Sequence, residues 1–82
     1  MRLQLMTPEK TFFSGEASNL VINAEKGQLT ILDQHADLIT LVKPGLLQIK
    51  TTQNTLKFEV SDGVLRVDEN RCAVLAGSIK SV

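Results

Sequence analysis

The stretch Leu56 to Asn70, "LKFEVSDGVLRVDEN", decides the fold. Leu56, Phe58 and Val60 alternate with Lys57 and Glu59, and Leu65 and Val67 alternate with Arg66 and Asp68. Side chains of an extended chain point to opposite faces in turn, so each run reads as a strand with one face buried and one wet. Asp62-Gly63 stands between the two runs. Asp-Gly favours a two-residue hairpin, because a type I′ turn needs positive φ at both central residues. The stretch therefore predicts a β-hairpin.

The same pattern extends outward. Leu47 and Ile49 alternate with Gln48 and Lys50, while Cys72, Val74 and Ala76 share one face of a further strand that carries Ala73 and Leu75 on the other. "ASNLVIN", residues 17–23, holds three consecutive apolar residues, which suits a strand covered on both faces or one that bends between sheets. Turn markers fall at Pro8, Ser14-Gly15, Lys26-Gly27, Pro44-Gly45, Gln53-Asn54, Asp62-Gly63, Glu69-Asn70 and Gly77. Their spacing lies near that of an all-β sandwich or barrel. The best helical window, Gln34 to Val42, is short, rich in strand formers and closed by Pro44, so it predicts a single helical turn near His35 at most. The expectation is one domain over residues 1–82, a compact antiparallel β-sandwich.

Composition narrows the function. The 82 residues carry nine basic and nine acidic side chains, so the chain lacks the basic excess that draws a protein to nucleic acid. Hydrophobic content of 43% supports a packed core rather than disorder. One cysteine, Cys72, cannot form an internal disulfide, which points to a reducing compartment. The start shows no signal peptide, and no apolar run approaches the ~20 residues that span a bilayer.

"ILDQHADLIT", residues 31–40, holds the densest candidate chemistry. On an extended strand Asp33, His35 and Asp37 would point the same way, as a metal or acid–base site requires. The alternative is a wet loop or strand edge, which explains the triplet equally well. Cys72 with His35 as its base would make a nucleophilic pair, against which stands the apolar neighbourhood of a packed thiol. Lys26-Gly27-Gln28 lacks the glycine pattern and following helix of a phosphate loop and reads as a hairpin turn. Pro44-Gly45 reads as a turn with Gly45 at positive φ.

Four pieces in order resemble a known family. "TPEKTFFSGEASNLVI", "GQLTILDQHADLITLVKPGLLQIK" and "FEVSDGVLRVDENRCAVLA" are similar to epsilon subunits of the F-type ATP synthase, through Phe13-Ser14-Gly15, the run Gly27 to Leu38, Pro44-Gly45 and Ser61-Asp62-Gly63. The resemblance covers nearly the whole chain. It departs from the family pattern at Thr30, where glycine is usual, and at Asp33 and Asp37, where proline is usual. Asp33 and Asp37 then read as local variants at turn positions flanking the family's histidine, His35.

The resemblance implies a ten-stranded sandwich of two five-stranded sheets, serving as a non-catalytic rotor subunit of the central stalk. It implies gamma-subunit contacts at Thr7, His35 and Thr40, and c-ring contacts at Lys26, Gly27 and Gln28, where the family often has an acidic residue in place of Gln28. It implies no cofactor, no nucleotide site and no direct membrane insertion. The location it implies is peripheral, at the cytoplasmic face of a bacterial inner membrane or its equivalent. The inhibitory helical pair that follows this domain in most family members is not expected within the 82 residues. Two other readings stand beside it: an enzyme built on Asp33, His35 and Asp37, and a generic sandwich that pairs through an edge strand.

Overall fold

Alternation at period two runs through the whole chain, and the computed structural model, which describes residues 1–82, turns it into ten strands and no helix. These are β1 (Arg2–Met6), β2 (Thr11–Glu16), β3 (Asn19–Ala24), β4 (Gly27–Leu32), β5 (Leu38–Val42), β6 (Gly45–Lys50), β7 (Thr55–Val60), β8 (Gly63–Asp68), β9 (Arg71–Ala76) and β10 (Ile79–Ser81). The single helical turn that the sequence allows near His35 does not form. Residues 35–37 are irregular, and Gln34 takes φ 64°, which interrupts any helical path.

The strands divide into two groups of five. One sheet runs β4-β3-β6-β7-β10 and the other β5-β8-β9-β1-β2. They join at one corner, where Ala24 of β3 pairs with Val42 of β5 after the first half of β3 has paired with β6. The bend foreseen in "ASNLVIN" is this crossing. All neighbours are antiparallel except β1 and β9, which run parallel from Arg2↔Arg71 to Met6↔Leu75. Strand registers put the β1–β2, β3–β4, β5–β6, β7–β8 and β9–β10 connections at one end of the sandwich and the remaining connections at the other.

The alternation around Asp62-Gly63 holds, but the hairpin does not. β7 pairs with β6 and β10, whereas β8 pairs with β5 and β9, so Ser61-Asp62 carries the chain from one sheet to the other. A second crossing lies alongside. Ser61 N donates to Ser78 O at 3.0 Å, Gly77 N to Asp62 O at 3.2 Å and Ser78 N to Ser61 Oγ at 2.9 Å. Gly63 is not in the positive-φ region. It is glycine because β9 passes too close: a Cβ there would meet the Leu75 carbonyl oxygen and come within 2.9 Å of Ala76 Cα. The type I′ geometry appears one connection later, at Glu69 (φ 49°) and Asn70 (φ 59°), which close β8 onto β9. Ser14-Gly15 is likewise no turn, because β2 runs through it and Gly15 pairs with Leu3. The turns at Lys26-Gly27 and Pro44-Gly45 form as expected, with Gly27 and Gly45 at positive φ.

The inward parity of each strand builds one core. Leu3, Leu5, Leu20, Ile22, Ile31, Val42, Leu47, Ile49, Leu65 and Val74 are fully buried, and no polar or charged residue is. Truncating one such leucine to alanine costs about 2–5 kcal/mol, a large part of what a domain of this size has to lose. β2 bulges at Phe12, since Leu5 pairs with Phe13 and Met6 with Thr11. The extra residue lets two consecutive phenylalanines pack against the core. Phe12 crosses to the other sheet and meets Phe58 edge-on, with centroids 6.5 Å apart.

Candidate functional site

The Asp33–His35–Asp37 triplet needs a strand, and residues 33–37 form a loop between β4 and β5. Each member has separate work. The Asp33 carboxylate accepts from the Met1 ammonium, which also donates to Ala17 O at 3.0 Å and lies 3.4 Å from Glu16 Oε2. Asp37 Oδ1 accepts from Glu69 N at 3.3 Å. His35 Nδ1 lies 2.7 Å from Ala36 O, and Gln34 N donates to Asn70 Oδ1 at 2.8 Å. The loop is thus pinned between the chain start and the β8–β9 turn. Nowhere in the chain do three His, Cys, Asp or Glu side chains gather as a metal site would require.

Cys72 faces the core from β9 and is buried. Burial pushes its thiol up to about 12, slightly offset by the nearby amino terminus. A thiol held neutral is the opposite of an activated nucleophile. The candidate catalytic pair of Cys72 and His35 therefore has one member inside the core and the other on an outer loop.

The surface residues singled out by resemblance are widely spread. Lys26 and Gly27 lie at the tip of the β3–β4 hairpin, with Gln28 opposite Asn23 at the start of β4, all exposed. Thr7 follows β1 at that same end of the sandwich, where Thr7 N donates to Lys10 O at 2.8 Å. Thr40 lies mid-way along β5, opposite Leu65, and His35 precedes β5 at the far end. β1 and β5 are three strand spacings apart, roughly 14 Å. Thr7, Thr40 and His35 therefore make no single small site. Thr7 and His35 lie at opposite ends of this sheet, whereas Thr40, the partner of fully buried Leu65, is half-buried on the inward parity of β5, whose outward residues are Ile39 and Leu41.

The outer face of this sheet is unusually apolar at one end. Leu41 pairs with Val64, Val64 with Leu75 and Leu75 with Met6, giving an outward row across four strands. Leu41 is 51% exposed, Val64 42% and Leu75 46%, and Ile39 beside them reaches 71%. Isolated exposed apolar residues are ordinary, whereas a contiguous row marks a surface that meets another. The sequence did carry a signal for it, because Leu41, Val64 and Leu75 occupy the strand parity that faces water.

The fold defines a β-sandwich domain with an exposed apolar face on one sheet. The chain belongs to the ATP synthase delta/epsilon chain family, whose β-sandwich domain matches residues 1–82. It is 40% identical over 75 residues to the ATP synthase epsilon chain of Desulforamulus reducens, spanning 92% of this chain and 57% of that one. To the epsilon chain of Pelotomaculum thermopropionicum it is 36% identical over 77 residues, spanning 94% and 58%. To that of Pelagibacter ubique it is 30% identical over 82 residues, spanning 99% and 63%. The chain thus spans about three-fifths of the length of these relatives. Its fold is that of a chain in the Euglena gracilis mitochondrial ATP synthase (OSCP/F1/c-ring), with TM-score 0.90, 16% identity, and 96% of this chain and 51% of that one covered. The central stalk and c-ring of the Tetrahymena thermophila mitochondrial enzyme contain another match, with TM-score 0.84, 20% identity, and 96% and 64% covered.

Proposed function

We propose that this chain is a non-catalytic rotor subunit of an F-type ATP synthase, seated between the gamma subunit and the c-ring and helping to couple ion flow to ATP synthesis. The observation that carries the reading is the family membership of the whole chain together with a surface divided into two regions. The β3–β4 hairpin tip, Lys26, Gly27 and Gln28, is a short polar projection suited to the loops of a ring. The sheet face between Thr7 and His35, carrying Ile39, Leu41, Val64 and Leu75 outward, is broad and partly apolar, suited to a shaft subunit. A rotor joint must transmit torque without yielding, and a close-packed core deforms little.

No helix is long and apolar enough to cross a membrane. On the rotor reading the domain sits at the cytoplasmic face, held there by its partners. It uses no cofactor and binds no nucleotide or nucleic acid. The test is a pull-down of the gamma subunit of the same complex. Wild type should retain gamma, and simultaneous substitution of Thr7 and His35 by bulky charged residues should weaken capture clearly. Equal capture by both would show that the surface is misassigned.

A further inference from the structure

All three arginines of the chain, Arg2, Arg66 and Arg71, line one groove of about 570 Å³, together with Gln4, Asp68, Cys72 and Ala73. The groove lies on the outer face just described, at the end opposite the apolar row. Arg2 of β1 and Arg71 of β9 are direct cross-strand partners, and Arg71 is the partner of Asp68 on β8. Like charges placed opposite one another on adjacent strands destabilise a sheet. Little offsets that cost within the chain. Arg66 pairs with Asp68 at 3.3 Å, whereas neither Arg2 nor Arg71 is in an ion pair. Glu16, the other cross-strand partner of Arg2, lies within ion-pair reach of the Met1 ammonium instead.

The six lysines lie outside the groove, so the clustering is specific to guanidinium groups. Guanidinium is the side chain suited to gripping carboxylates with two parallel hydrogen bonds. A local arrangement that costs stability and is left uncompensated is expected where another molecule completes it. We infer that this groove and the adjoining row Met6–Leu75–Val64–Leu41 form one docking surface for a partner polypeptide segment bearing carboxylates beside apolar side chains. Arg71 and Leu75 are four residues apart on β9, roughly 13 Å. A single helix or extended segment spans both ends of the surface at that separation. A free phosphate or lipid headgroup would use the groove alone and leave the apolar row without a role. The inference rests on the rotor reading and specifies the chemistry by which the shaft subunit would be recognised.

The test compares three chains for binding to the purified gamma subunit: wild type, Arg2→Gln/Arg71→Gln, and the control Lys50→Gln/Lys57→Gln on the other sheet. Thermal melts accompany each, and the arginine variant should melt at or above the wild-type temperature because cross-strand repulsion is removed. Expected is at least tenfold weaker binding for the arginine variant, a flatter salt dependence and an unchanged control. A second variant, Leu75→Ser, should weaken binding at all salt concentrations. Unchanged gamma binding in a folded arginine variant overturns the inference and leaves the rotor reading intact, whereas wild type that ignores gamma overturns the rotor reading itself. Inorganic phosphate and phosphatidylglycerol vesicles serve as further probes. Arginine-dependent binding of either, with gamma binding unaffected, also overturns the inference.

Discussion

Gly63 of β8 pairs with Ala76 of β9 so closely that its α-hydrogen fills the only space a side chain would need. The contact is with backbone, at the Leu75 carbonyl and at Ala76 Cα, so no rotamer change relieves it. Gly63→Ala should therefore push β9 away from β8 and lower stability by about 1–3 kcal/mol, the scale of overpacking. Urea titration followed by circular dichroism checks this. An unchanged midpoint would mean that the two sheet crossings yield freely.

Alkaline pH should loosen the domain through two groups. The Met1 ammonium is held above its usual value of 8.0, chiefly by its hydrogen bond to Asp33. Cys72 is raised to about 12 by burial. Both are held protonated by folding, so their stabilisation is complete below the unfolded values, near 8.0 for the amine and 9.0 for the thiol. It is lost as pH climbs from there toward the folded values. Melting temperature should fall between pH 7 and pH 10. Asp33→Asn should flatten the part of the slope due to the amine and cost about 1 kcal/mol at pH 7, as befits a charged pair whose carboxylate is largely exposed. A slope identical in wild type and Asp33→Asn would contradict the assignment.

The Cys72 thiol should be inert to a water-soluble disulfide reagent in the folded state and reactive once the chain is unfolded in urea. Its labelling rate should follow the fraction unfolded, because the thiol is buried in the core cluster. Rapid labelling without denaturant would place it at the surface.

The fold was legible because parity survives in nearly every strand. Leu47, Ile49, Phe58, Val60, Leu65, Val67, Cys72, Val74 and Ala76 are all buried, as their alternation requires. Connectivity was less legible. Asp62-Gly63 satisfies the local rule for a hairpin, but Gly63 makes room for β9 rather than supplying positive φ, and the pairing of β8 is decided by tertiary contacts. Glu69-Asn70 makes the true hairpin with no glycine, on the tolerance of asparagine and its neighbour for the left-handed region. The Asp33–His35–Asp37 triplet left a site and a wet loop equally open, and the loop is what forms. The triplet's spacing has meaning only on a strand, and the reversed φ at Gln34 breaks the chain there. The exposed apolar face was half visible, as apolar residues at the outward parity. The arginine groove was not, because Arg2 and Arg71 meet only through the parallel pairing of the first and ninth strands.

The central claim is that this domain is a rigid connector that works by holding a rotary shaft. The most direct measurement is sedimentation velocity of the 82-residue chain mixed with the gamma subunit of its own complex. The account expects one heterologous complex of one copy each, forming at micromolar or lower concentration. Separate boundaries for the two proteins at every concentration, or a self-associating sandwich that excludes gamma, would contradict it.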